Sequence, residues 1–275
     1  MTFGERLQAA FDTSGNLCVG IDPHAFLLAE WNLTDNAAGL REFGLRVVEA
    51  AANRVAIVKP QVAFFERHGS AGFAALEEVL AAARAAGLLV IADAKRGDIG
   101  STFDGYAAAW LTAGSPLEAD ALTVSPYLGI GSVDGPRAIA AENGKGLFVL
   151  AATSNSEARD LQMSRMASGA TVAAGIVDEV QQWNSADAGL GSVGIVLGAT
   201  LALADFGITD LANTPVLAPG FGHQGAQISE LRSLYGPAAG NVLVSASRSI
   251  LAAGPIDIAA AIAQQSAEVA EALAA

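Results

Sequence analysis

Lysine is scarce in this chain: only Lys59, Lys95 and Lys145 occur among 275 residues. Basic residues number 15 against 28 acidic ones, for a formal net charge of −13. Phosphate backbones are held by basic surfaces, so this balance argues against nucleic acid as a partner. It does not exclude a small phosphorylated ligand, which one arginine and a few backbone amides capture whatever the global charge. A single cysteine, Cys18, leaves no partner for an internal disulfide and no cysteine-rich metal site. It sits in an apolar run and reads as a small buried hydrophobe. No window approaches the ~18 unbroken apolar residues of a membrane span. The first residues, with Glu5, Arg6 and Asp12 dispersed among them, lack the basic-then-apolar order of a signal peptide. We therefore expect a cytoplasmic protein with no membrane partner. The three histidines, His24, His68 and His223, show no metal-ligand spacing, and no metal site is expected.

What the chain has in quantity is apolar surface, at 52% of residues. Short apolar, β-branched runs recur at 17–21, 55–58, 88–92, 119–124, 146–151, 193–197, 215–218 and 242–245. Alanine-rich stretches with helical periodicity separate them, the alternation expected of βα units and a parallel sheet. Residues 71–86 are one such stretch, stopping at Gly87, and the last helix is expected over about 256–273. Eight runs suggest closure into a (β/α)8 TIM barrel, whereas a doubly wound open sheet uses the same alternation with roughly five to seven strands. No linker, charge block or internal repeat divides the chain, so residues 1–275 are expected to form one domain. The polar segment 154–169 reads either as a mobile loop over the site or as an insertion without a role.

The few charges fall where barrel enzymes place their chemistry, at the C-terminal ends of strands. Asp22 follows run one, Lys59 follows run two, and Asp93 and Lys95 follow run three. Two residues apart on an extended segment, Asp93 and Lys95 point to the same side, here the barrel axis. Asp98 lies three residues on, and Thr102 shares its helical face if a helix has begun by then. A structural salt-bridge network at the barrel mouth is the alternative reading of these charges.

A second cluster comes late, with Pro219-Gly220-Phe221-Gly222-His223-Gln224-Gly225 after run seven and Ser247-Arg248-Ser249 after run eight. Glycines let backbone N–H groups approach an anion, and arginine supplies a bidentate fork, so this pair reads as a phosphate site. A glycine-rich turn taken alone is equally a tight turn. His24 and His223 fall on loops at this rim and read as polar loop residues.

Asp93-Ala94-Lys95-Arg96-Gly97-Asp98-Ile99-Gly100-Ser101-Thr102 resembles the D-x-K-x-x-D-I-x-x-T signature of the orotidine 5′-phosphate decarboxylases. Gly20-Ile21-Asp22-Pro23, Val58-Lys59-Pro60, the loop 219–225 and Arg248 resemble further family elements in the family's order. Val58-Lys59-Pro60-Gln61 and Ala151-Ala152-Thr153-Ser154-Asn155 look most like the family's longer bacterial subgroup. The resemblance implies a homodimeric barrel that turns orotidine 5′-monophosphate into UMP without cofactor or metal. It implies Lys95 as proton donor to C6, Asp93 beside the substrate carboxylate, and Lys59 and Asp22 on the ribose hydroxyls. Ser154 would contact the pyrimidine, and Gln224, Arg248 and the Gly222 loop the phosphate. Asp98 and Thr102 would reach into the partner subunit's site. His223 and Ser247 depart from the family, whose members often carry a small residue and a glycine there.

Two rivals share parts of this pattern. A Mg²⁺-dependent sugar-phosphate decarboxylase or aldolase of the same barrel type is disfavoured by Lys59, a cation where that group carries an acidic metal ligand. A non-catalytic nucleotide-binding barrel has no use for a lysine packed between aspartates.

Overall fold

The computed structural model of the protein describes residues 1–222 and 225–275. Eight parallel strands close into a barrel in chain order: β1 (Leu17–Ile21), β2 (Ile57–Pro60), β3 (Leu89–Arg96), β4 (Ala121–Val124), β5 (Gly146–Ala152), β6 (Val193–Leu197), β7 (Val216–Pro219) and β8 (Val242–Ala246). The helices are α1 (Phe3–Ser14), α2 (Ala25–Glu30), α3 (Ala37–Ala51), α4 (Val62–Glu66), α5 (Gly69–Ala85), α6 (Gly100–Leu111), α7 (Asp134–Glu142), α8 (Arg159–Met163), α9 (Val172–Asn184), α10 (Leu231–Tyr235), α11 (Arg248–Leu251) and α12 (Gly254–Ala274). The eight expected runs are thus the eight strands, and the open-sheet alternative falls away.

Two differences from the sequence expectation have physical causes. The third run is apolar only through Ala92, but β3 continues to Arg96, because Asp93 bridges to Gln61 and Arg96 pairs with Val124 beyond a shift in register. Segment 154–169 is not a plain loop: it holds a 3₁₀ turn, Ser156–Ala158, and α8. Gln162 ties it to the end of β5, its Nε2 donating to Thr153 Oγ1 at 3.0 Å and its Oε1 accepting from the Thr153 N–H at 3.0 Å. No described helix is long and apolar enough to cross a membrane.

Strand alternation sorts side chains into two cores. Outward residues such as Val19, Val58 and Val90 pack under the surrounding helices. Inward ones include one buried apolar residue per strand, Cys18, Ile57, Ile91, Ala121, Phe148, Val196, Leu217 and Leu243, which pack with Phe3, Leu7 and Phe11 of α1. Spaced by four, those three share one helical face. A capping box starts α1, Thr2 Oγ1 accepting from the Glu5 N–H while Glu5 Oε2 accepts from the Thr2 N–H. The helix closes the N-terminal end of the barrel, and burying each large side chain there contributes roughly 1.5–3 kcal/mol. Space for them depends on glycine: a Cβ at Gly146 would stand 2.2 Å from the Phe3 ring, and one at Gly194 2.5 Å from Phe148.

Lys145 belongs to this closed end. Its ammonium donates to Glu118 Oε1 at 2.8 Å and Asp120 Oδ1 at 3.4 Å, while Arg6 pairs with Asp120 at 2.7 Å. The third lysine is therefore structural, at the opposite end from Lys59 and Lys95.

Candidate active site

One layer above the apolar plug, the inward position changes character. Two residues beyond Ile57 stands Lys59, two beyond Ile91 stands Asp93, and two beyond Ala121 stands Thr123. A cavity of about 270 Å³ opens over them at the C-terminal mouth, lined by Asp22, Lys59, Gln61, Asp93 and Lys95 on one side and by Pro219, Gly220, Phe221, Ser245, Ser247 and Arg248 on the other.

Asp93 is the hub. Its Oδ2 accepts from Lys59 Nζ at 2.7 Å and Gln61 Nε2 at 3.1 Å, and its Oδ1 accepts from Lys95 Nζ at 2.5 Å and Thr123 Oγ1 at 3.0 Å. Asp93 and Lys59 are buried, whereas the Lys95 side chain is 45% exposed, toward the cavity it lines. The backbone under Lys95 is left-handed, at φ 46°. For a non-glycine residue that costs about 1–2 kcal/mol.

Burial opposes both charges of the inner pair, and the pairing overrides it. Burial pushes the Lys59 ammonium down, but Asp93 and Asp22 hold it above the ordinary lysine range. Burial pushes the Asp93 carboxyl up, but Lys59 and then Lys95 hold it well below the usual carboxylate range. Because the folded value is depressed, Asp93 contributes stability that is present above about pH 4 and lost as pH falls through the folded value. Denaturant unfolding from pH 7 to pH 3 is expected to show wild type losing stability more steeply below about pH 4 than Asp93→Asn. Parallel curves would contradict this. Cys18, under the array, is pushed up to about 12 by burial and is inert as a thiolate.

The other predicted residues stand at varying distance from this cavity. Asp22 and Arg248 join the cavity, and Oδ1 of Asp22 is buried with no hydrogen bond to the described protein, as is Oγ of Ser247. A buried acceptor left unpaired carries a desolvation cost that a ligand hydroxyl relieves. Ser154 stands beside the cavity rather than on its lining: it follows Thr153, a lining residue, and packs against Gly198, where a Cβ would stand 3.3 Å from its own. Asp98 and Thr102 stand outside this cavity: Asp98 Oδ1 accepts from the Ile99 N–H at 2.8 Å, and Thr102 is exposed on α6. Gly222 also lies off the lining, its N–H donating to the Ala226 carbonyl at 2.9 Å, so it shapes the loop while Gly220 and Phe221 face the cavity. Gln224 and His223 lie outside the described residues. His24 packs between aromatic rings, edge-on to Phe64 at 4.4 Å and stacked on Phe26 at 5.4 Å, and burial lowers its pKa.

Sequence reasoning missed Gln61, Thr123, Thr153 and Ser245. The signal for the first two was the period of two: Gln61 lies two residues beyond Lys59, and Thr123 two beyond the inward Ala121.

Residues 15–264 match the family described as orotidine 5′-phosphate decarboxylase / HUMPS. An orotidine 5′-phosphate decarboxylase of Nocardioides sp. is 54% identical over 253 residues, covering 90% of this chain and 91% of the relative. One of Salinispora arenicola is 52% identical, covering 94% and 92%. Among solved structures, one from Streptomyces avermitilis assigned to the same activity aligns with a TM-score of 0.96 at 50% identity, covering 100% of this chain and 96% of that one. The OMP decarboxylase of Leishmania donovani aligns with a TM-score of 0.81 at 31% identity, each chain covered completely.

Proposed function

This chain belongs to the orotidine 5′-phosphate decarboxylase family, and from its site we infer that Lys95 is the group that protonates C6. The enzyme converts orotidine 5′-monophosphate to UMP and CO₂, a carbon–carbon lyase reaction of pyrimidine nucleotide synthesis. The observation that carries the assignment of roles is the Lys59–Asp93–Lys95 array on the barrel axis.

Heterolysis of the bond between C6 and the carboxylate leaves the electron pair on C6, with no adjacent π-system placed to delocalise it. The Lys95 ammonium stabilises that pair and then gives it a proton, becoming an amine that solvent recharges. Asp93 faces the substrate carboxylate, and departure of neutral CO₂ relieves the repulsion between the two. Asp22, with its unpaired Oδ1, and Lys59 take the ribose hydroxyls. Ser154 takes the pyrimidine, and Arg248 with Gln224 and the 219–225 loop takes the phosphate. Enzymatic accelerations reach about 10¹⁷-fold, or ~23 kcal/mol, of which a proton donor supplies about 10²–10⁴. Binding energy from the phosphate end contributes to the remainder.

The reaction needs no metal, and Lys59 puts a cation against Asp93 where Mg²⁺ would otherwise be drawn. Incubated in EDTA with orotidine 5′-monophosphate, the purified protein is expected to remove the substrate's ultraviolet absorbance. Loss of turnover to the chelator would sink the cofactor-free reading and favour a sugar-phosphate substrate with Mg²⁺.

We place residues 1–275 in one catalytic domain, working in the cytoplasm as a homodimer. Asp98 precedes the exposed Ile99, and the loop after β4, which meets the end of β3 where the Ser125 N–H donates to the Arg96 carbonyl, carries the exposed Tyr127 and Leu128. Such a patch favours burial against a second copy, which would carry Asp98 and Thr102 into its site. Mixing inactive Lys95→Ala with inactive Asp98→Ala is then expected to restore partial activity, since some mixed dimers hold one intact site. No recovery, with subunit exchange verified, counts against shared sites.

A further inference from the structure

Four described residues other than glycine have a left-handed backbone, and three of them, Asn32, Asn53 and Asn213, are asparagines, which tolerate it. The fourth is Lys95. It lies inside a break in the β3–β4 ladder, where the register shifts between Ala92 and Arg96. Its N–H donates to Oγ1 of Thr123 on β4 at 2.9 Å. The same hydroxyl donates to Asp93 Oδ1 at 3.0 Å, the oxygen that also accepts from Lys95 Nζ at 2.5 Å. A hydroxyl has one proton to give, so accepting from the backbone N–H leaves that proton committed to the carboxylate. Thr123 is 1% exposed and stands off the cavity lining.

We infer that Thr123 is a positioning residue for the decarboxylation: its hydroxyl clamps the backbone of Lys95 in the left-handed turn and the carboxylate of Asp93 in line with the lysine's ammonium. The inference rests on Lys95 being the proton donor. Two ends of the Lys95 side chain are thereby referred to one atom: the backbone end through its N–H, the ammonium end through Asp93. A peptide relaxing out of the left-handed region would swing the ammonium away from C6, and a misplacement of about 1 Å costs on the order of 10²-fold in rate. Serine keeps both hydrogen bonds, whereas valine keeps the shape and loses both.

The test compares Thr123→Val, Thr123→Ser and Lys95→Ala with wild type for kcat, for KM toward orotidine 5′-monophosphate and for UMP affinity. Thr123→Val is expected to lower kcat about 100-fold while KM and UMP affinity stay within about threefold, and Thr123→Ser to recover to within about fivefold of wild type. Wild-type turnover in Thr123→Val, loss of UMP affinity in step with kcat, or failure of serine to rescue would each overturn the proposal. Should Thr123→Val not fold, Thr123→Ala carries the same comparison, and failure of both to fold assigns the hydroxyl to stability alone and overturns it too. Lys95→Ala keeps the two readings apart: if it retains turnover, the proton-donor assignment itself falls, whatever Thr123 does.

Discussion

Replacing Lys95 by alanine is expected to lower turnover by ~10⁵-fold while leaving UMP affinity within about threefold of wild type. The magnitude combines two losses, a general acid worth about 10²–10⁴ and a preorganised charge beside the carbanion worth about 10²–10³. The fold is expected to survive, because Asp93 would not become an orphan: Lys59, Gln61 and Thr123 still donate to it. That is why the variant isolates chemistry from stability. Single-turnover decay of orotidine 5′-monophosphate, read alongside UMP titration, checks both halves, and a loss smaller than tenfold would remove Lys95 from the proton transfer.

Arg248→Ala is expected to lower kcat/KM by about 10³-fold, the scale of truncating one partner of a desolvated charge pair at about 2–5 kcal/mol. Arg248 starts α11 directly after β8, across the cavity mouth from the lysine–aspartate array. Its assignment to the phosphate rather than to the reacting carbon predicts a distinctive pattern. Orotidine, which lacks the phosphate, should be turned over at equal rates by wild type and variant, because neither has that contact to make. If the variant instead slowed both substrates equally, Arg248 would be acting on the reacting end or on the fold, and the phosphate assignment would fail.

Strand positions were legible because alternation and β-branching are local properties, and Asp22, Lys59, Asp93 and Lys95 stood out through charge in a chain with little of it. Thr123 and Gln61 carry no charge, and their importance comes from Asp93, which is 30 and 32 residues away along the chain. Gly222 shows the same limit from the other side. Its glycine signal was real, at φ 74°, but the freedom serves the loop's own turn, and only the fold reveals that Gly220 and Phe221 face the cavity. The plug helix is written in the spacing of Phe3, Leu7 and Phe11, yet the surface it covers is assembled from all eight strands. Lys145 looked as rare as the other two lysines, and only its partners Glu118 and Asp120 separate it from them.

The lysine distribution also determines how the protein meets amine chemistry. Lys145 is locked at the closed end of the barrel and Lys59, though on the cavity wall, is buried against Asp93, so Lys95 carries the most exposed of the three amines. An acylating ester or a condensing aldehyde therefore meets Lys95 first among the lysines, the group to which we assign the proton transfer. Any nucleotide seated in the mouth shields that amine, which makes selective labelling a direct reporter of site occupancy.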